Sequence, residues 1–180
     1  MWVELATWIA QDDRLELTVG DHWTTKLSVS LDRAEEVEAS APLGIHLLAE
    51  PPSLDGPRYE VTVRVKRDPD FGVILDAGSL LLDSSSFTTW PDAVVLRLES
   101  PLLAGPGLDL RSDHPVWRDW RVRQIHLRQW DVVPDSEPNS YRPDPNSVRI
   151  RPIERMQIWQ DEKDPVTAER IHSDYILRLA

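Results

Sequence analysis

The sequence predicts a mainly β protein, an antiparallel barrel or sandwich of about nine strands with one or two short helices. Three observations carry that expectation. Tyr59, Val61, Val63 and Val65 alternate without exception with Glu60, Thr62, Arg64 and Lys66, which gives a strand one apolar and one wet face. Turn chemistry then punctuates the pattern. Arg67-Asp68-Pro69-Asp70 breaks it, Phe71 to Leu75 resumes it, Ala77-Gly78 breaks it again, and Leu80 to Leu82 closes a three-stranded meander. Finally, 8 tryptophans in 180 residues call for a sheet wrapped around buried indoles, because each ring removes a large area from water.

The remaining elements follow in chain order. Trp2 to Ala10 is apolar and reads as a strand. Leu15, Leu17 and Val19 alternate with Glu16 and Thr18, and Gly20-Asp21 is a type II′ hairpin signal. Trp23, Leu27, Val29 and Leu31 supply the returning strand of that hairpin. Asp32 stands three residues before Glu35, the spacing of a capping box, so a helix of one or two turns is expected to run to Ala39 and end before Pro42. Gly44 to Glu50 reads as a strand and Pro51 to Pro57 as a loop.

Beyond the meander, Ala93 to Leu98 is a strand and Ser100 to Gly107 a Pro/Gly-rich loop. Trp120 to Val133 is a long strand whose apolar phase slips, which predicts bulges or bends near Gln124 and Gln129. Residues 134–147 form the longest loop, rich in proline. Val148 to Gln160 is a strand interrupted at Pro152, Asp164-Pro165 starts a short helix to His172, and Tyr175 to Leu179 is the last strand. Residues 1–180 are expected to form one β-rich domain. The stretch Arg58 to Asp83 resembles the coiled hairpins of small closed barrels, the oligonucleotide-binding barrel among them. The likeness includes no specific motif, and no functional residue is carried across from it.

Composition narrows the function classes. The chain has no cysteine, which removes disulfides, thiolate metal sites and cysteine nucleophiles and fits a reducing cytoplasm, the expected location. The start Met1-Trp2-Val3-Glu4 has no basic n-region and no apolar stretch approaches a membrane span, so neither a secretory signal nor membrane insertion is expected. Net charge is −11 and uneven. Residues 1–110 carry 8 basic and 19 acidic side chains, whereas residues 111–155 carry 9 and 7. Such a field disfavours nucleic acid and favours a basic partner.

The signatures of P-loop NTPases, dinucleotide enzymes, nucleophile-elbow hydrolases and zincins are missing from the sequence. His22, His46, His114, His126 and His172 show no paired metal-ligand spacing. Asp135, Glu137, Asn139 and Tyr141 alternate as in a calcium loop, but Ser140 and Asn146 stand where that loop needs glycine and a bidentate Glu. No cofactor, metal or catalytic residue is expected.

One constellation stands out as a ligand or partner contact: Arg111, His114, Trp117, Arg118, Trp120, Arg121 and Arg123. Arginine interleaved with tryptophan suits single-strand nucleic acid and equally suits a protein interface, where these residue types dominate hot spots. Among the histidines, His114 is the best-placed general base, having Asp113 and Arg111 close by in sequence.

Together these features predict a non-enzymatic cytoplasmic protein-interaction module, in one version an acidic, immunity-like inhibitor, with a basic partner or a second copy as its target. The competing readings are a small-ligand-binding barrel and single-stranded nucleic-acid binding through residues 111–130.

Overall fold

The computed structural model describes residues 1–6, 9–10, 14–31, 33–51, 56–69, 71–84, 90–105, 113–135, 141–156 and 171–180. Its strands, in chain order, are β1 (Trp2–Ala6), β2 (His22–Val29), β3 (Glu35–Val37), β4 (Gly44–Ala49), β5 (Arg58–Asp68), β6 (Gly72–Asp76) and β7 (Leu81–Ser84). They continue with β8 (Val95–Ser100), β9 (Leu103–Ala104), β10 (Trp117–Pro134), β11 (Tyr141–Pro143), β12 (Arg149–Ile153) and β13 (Ile171–Leu179). A 3-10 turn, Pro145–Ser147, separates β11 from β12. The protein is mainly β and its pairings are mostly antiparallel. Among the described strands, β1 with β9 and β2 with β7 are the parallel exceptions.

The sheet runs in the order β11-β10-β13-β1-β9-β2-β7-β6-β5-β8-β3, with β12 on β10 and β4 on β5. Because β10 also pairs with β2, the path β10-β13-β1-β9-β2 returns on itself. Beyond β7 lies the predicted meander, β7-β6-β5, extended by β8 and β3.

The period-two pattern of β5 determines which side is buried. Val61, Val63 and Val65 are fully buried and Tyr59 nearly so, together with Leu75, Leu82 and Leu96 from the neighbouring strands. Val3, Leu5, Ile125, Leu127, Tyr175 and Leu177 fill the same role in β1, β10 and β13. Burying each such side chain is worth about 1.5–3 kcal/mol, so this apolar parity holds the sheet together. The indoles of Trp2, Trp23 and Trp117 are buried, whereas those of Trp90, Trp120 and Trp130 are half-buried, so the expectation of a core of indoles is met in part.

The meander turns match their residues. Asp68 accepts the backbone N–H of Phe71 through Oδ1 at 2.9 Å, and Gly72 takes φ 81°. Asp76 accepts the N–H of Gly78 at 2.7 Å, and Gly78 takes φ 82°. Both glycines adopt the left-handed region that disfavours a Cβ.

Elsewhere the structure corrects the sequence reading. Among the described residues there are thirteen strands rather than about nine. The Leu15–Val19 segment does not pair with β2 as a hairpin. Gly20, at φ 107°, is the third residue of a turn closed by Asp21 N–H to Thr18 C=O, a type II position, not the expected type II′. That turn sends Leu17 and Val19 to Met156 and Glu154 across the molecule.

The segment expected as a helix from Asp32 to Ala39 forms β3 instead, hydrogen-bonded along β8; Asp32 itself lies outside the described residues. A run that short gains little from its own helical propensity, and pairing to an open strand edge outweighs it. The expected Pro165 helix lies outside the described residues, except that Ile171 and His172 open β13.

The long loop 134–147 is partly strand. Tyr141 to Pro143 pair with Pro134 to Val132, and Asp144 caps the following turn by accepting Asn146 N–H at 2.9 Å. Of the two expected irregularities in β10, one is found, a register shift between Val122 and Gln124, whereas the pairing to β13 runs evenly past Gln129. No helix among the described residues is long and apolar enough to cross a membrane.

Candidate functional site

The Arg/Trp constellation spreads over several surroundings. Arg111 lies outside the described residues. Trp117 and Trp120 differ by three positions on one strand and so point to opposite faces. Trp117 stands opposite Lys26, whose Nζ lies 5.7 Å from its ring centroid, and its indole is buried with no acceptor for Nε1 among the described residues. Trp120 stands opposite Trp23 and donates Nε1–H to Thr25 C=O at 3.3 Å. Arg118 donates to Ser79 C=O at 2.6 Å. Arg121 exchanges backbone hydrogen bonds with Ala180, and Arg123 sits exposed at the β10 bulge.

His114 stays tied to Trp117, whose N–H its C=O accepts at 2.9 Å, but its ring turns to other partners. Its Nε2 lies 3.2 Å from Asp68 Oδ2, its Nδ1 accepts the Val116 N–H at 3.2 Å, and its ring centroid is 4.1 Å from that of Phe71. With a backbone N–H on Nδ1, the ring proton belongs on Nε2, facing the carboxylate. Both nitrogens are then engaged within the chain, Nε2–H by Asp68 and the Nδ1 lone pair by the Val116 N–H. The arrangement pins the chain before β10 onto the β5–β6 turn.

A second cluster, which the sequence did not reveal, lies on the face of β1, β13 and β10 opposite Leu5, Tyr175 and Leu127. Arg128 is 5% exposed, and its guanidinium meets Glu4 Oε1 at 3.0 Å and Asp174 Oδ2 at 3.5 Å. The Trp130 ring stacks 4.7 Å away. Gly56 closes the cluster from outside. At φ 74° its backbone comes so near that a Cβ would overlap the Glu4 carboxylate and stand 2.6 Å from Arg128 Nη1. Tyr59 adds a tie from β5, its hydroxyl donating to Trp2 C=O at 3.0 Å and accepting Trp2 N–H at 2.7 Å.

Burial tunes the protons here. Loss of solvent pushes the Glu4 carboxyl above its usual range despite Arg128, pushes the Tyr59 hydroxyl up, and pushes the His126 imidazole down. His126 packs its ring 5.3 Å from that of Trp2, with Nδ1 unpartnered among the described residues. Every charge of the triad is spent on another, so its chemistry is that of a clasp between strands.

A third array is open to solvent. Glu60 on β5 stands directly opposite Glu99 on β8, and His46 on β4 stands opposite Glu60 from the other side. The Glu99 side chain is 63% exposed, and the Arg58 guanidinium reaches it only at 4.0 Å. Arg97 lies two residues from Glu99, opposite Glu35 on β3. An open depression beside it is lined by Glu36, Val37, Glu38, Ala41 and Arg97. Among the described residues no group of three or more His, Asp or Glu converges as a metal site. Comparison with protein-family models, curated proteins and solved structures finds no match to this chain.

Proposed function

We propose that this protein is a non-enzymatic interaction module that receives a basic protein partner at Glu60 and Glu99 on its mixed-charge β4-β5-β8-β3 face, in the manner of a neutralising inhibitor. The observation that carries this reading is the direct opposition of Glu60 and Glu99. Like charges in that position oppose sheet pairing, and although Arg58 and Arg97 flank them on the same face, a cation brought by a partner would relieve that opposition further. Charge across the chain agrees, since residues 1–110 hold 19 acidic side chains against 8 basic. The spent nitrogens of His114 and the internal pairing of Arg128 support a role without chemistry at those two places.

We read the ring β10-β13-β1-β9-β2 as a closed barrel to which this part of the sheet is joined through β7 and β6. The Arg/Trp segment contributes to that frame, Trp117 by burial and Arg118 by its bond to Ser79.

Titration against a strongly basic and a strongly acidic folded protein tests the proposal. Binding is expected to the basic protein alone, to weaken with salt, and to be lost in the double variant Glu60→Lys/Glu99→Lys with its fold intact. Equal binding to both proteins, or binding untouched by the double variant, overturns it.

A further inference from the structure

The outer face of β5, β8 and β3 carries both signs of charge, and not all of them meet. Arg58 reaches Glu99 only at 4.0 Å, and Arg64 turns to Ala39 C=O. Arg97 is half-buried and stands directly opposite Glu35. Among the described residues its guanidinium nevertheless forms no ion pair, and its Nε is buried without a hydrogen-bond partner. A cation that has given up part of its water without gaining an acceptor calls for one. Arg97 lines the open depression at the β3 edge together with Glu36, Val37, Glu38 and Ala41, a space of about 670 Å³. Small-molecule sites commonly measure about 300–1,000 Å³.

The backbone phase of β3 follows from β5. Val65 gives both its N–H and its C=O to the β8 side, at Val94 and Ala93. Alternation then turns Leu96 and Leu98 toward β5, and Val95 and Arg97 toward β3. Glu35 and Val37 answer Arg97 and Val95, so Glu36 aims its N–H and C=O at the open edge. The same alternation puts the Glu36 side chain on the face away from Arg97, so Glu36 serves the depression with its backbone. Val37 shares the face of Arg97. The turn closed by Ala41 N–H to Glu38 C=O brings Glu38 and Ala41 round to it, and the Glu38 carboxylate has one weak contact, to Ser40 at 3.4 Å.

We propose that this depression binds a free α-amino acid with an apolar side chain. Arg97 takes the carboxylate through its Nη atoms. The ammonium lies between the Glu38 carboxylate and the outward C=O of Glu36, and the side chain rests on Val37 and Ala41. The mixture of charges selects this occupant. A simple anion at Arg97 would sit beside Glu38, and a simple cation at Glu38 would sit beside Arg97. A zwitterion answers both at once. The site goes beyond the partner reading and uses neither Glu60 nor Glu99.

The probes are L-leucine, L-leucinamide, which lacks the carboxylate, and N-acetyl-L-leucine, which lacks the ammonium. Each is titrated into the isotope-labelled protein, and the amide signals of Glu36 to Ala41 are followed by NMR. Leucine is expected to shift those signals saturably, and both analogues to bind about tenfold or more weakly, each having lost one charge-assisted contact. Arg97→Gln is expected to bring leucine down to the level of leucinamide and to leave leucinamide unchanged. Glu38→Gln is expected to bring leucine down to the level of N-acetylleucine and to leave N-acetylleucine unchanged. Glu60→Lys/Glu99→Lys is expected to bind leucine as the wild type does, so loss of the basic partner and loss of the amino acid are read separately.

The wild-type series decides without any variant. Leucinamide binding as tightly as leucine makes the occupant a plain cation and overturns the proposal, and N-acetylleucine binding as tightly makes it a plain anion and does the same. Shifts that fall outside residues 36–41 and Arg97 overturn the location. No saturable binding at millimolar leucine also overturns the proposal.

Discussion

Two groups of charge lie on this sheet, and the fold treats them in opposite ways. Around Arg128 every charge is enclosed and answered, by Glu4, by Asp174 and by the ring of Trp130. At Glu60 and Glu99 the charges are alike and face one another on neighbouring strands, Glu60 half-buried and Glu99 exposed with Arg58 at 4.0 Å. The first arrangement makes folding depend on a set of partners within the chain. The second adds nothing to folding and is consistent with a partner from elsewhere. The difference predicts large stability losses for substitutions at the first cluster and small gains at the second.

The largest effect is expected at Arg128. Removing the guanidinium strands two carboxylates in a place that water reaches poorly, so Arg128→Ala should cost about 3–5 kcal/mol by chemical denaturation. Replacing all three charged groups together, as Arg128→Met with Glu4→Gln and Asp174→Asn, should recover most of that loss, because no unanswered charge remains. A cost for Arg128→Ala below about 1 kcal/mol, the range of an exposed pair, would collapse the contrast between the two clusters.

Gly56 tests the same enclosure from its lid. A left-handed backbone at φ 74° and a Cβ directed into the Glu4 carboxylate both oppose Gly56→Ala. The backbone conformation alone is worth about 1–3 kcal/mol. The matching change at Gly72, which has φ 81° and where a Cβ meets nothing within 4 Å, isolates the conformational part, and the excess at Gly56 measures how tightly the lid sits. Equal losses at the two glycines would mean that the lid does not press on the ion pair.

His126 gives a smaller, pH-dependent effect. Burial lowers its pKa below the ordinary 6.5, so the fold favours the neutral ring. The stability this contributes is complete above 6.5 and is lost as pH falls through the lowered value. Glu4 has the opposite sign, because its raised pKa contributes stability that is complete below its ordinary value and fades as pH rises through the raised one. Denaturant midpoints measured downward from neutral pH should fall in the wild type and fall less in His126→Gln. Parallel curves for the two proteins would remove His126 as the source.

The same contrast separates what the sequence made legible from what it did not. The β5 meander was plain because its signals are local: dyad alternation, then Asp68, Gly72, Asp76 and Gly78 at turns within reach of one another. The Arg128 cluster was hidden because its members come from positions 4, 56, 128 and 174, and nothing in the chain ties those numbers together. A weak sign existed in β10, where Arg128 interrupts the apolar run that the bulge at Val122/Gln124 had already shifted. Glu60 was readable as an outward residue, but its opposition to Glu99 depends on strand register across 39 positions, which alternation alone does not set. The Arg/Trp segment is divided for a related reason: a strand sends Trp117 and Trp120 to opposite sides, so neighbours in sequence part in space.

The smallest expected effect is the sharpest test of the exposed cluster, because its sign is unusual. Most substitutions destabilise. Glu60→Gln removes one of two like charges that sit directly opposite on neighbouring strands and keeps the side-chain shape, so it should stabilise the fold by about 0.2–1 kcal/mol. Glu99→Gln should gain less, since it also gives up the distant contact to Arg58. Raising salt should shrink both gains, because exposed charges are screened over about 10 Å at moderate ionic strength. If Glu60→Gln instead lowers the denaturation midpoint, His46 or another neighbour already answers that carboxylate within the chain, and no outside cation is needed to explain why it is there.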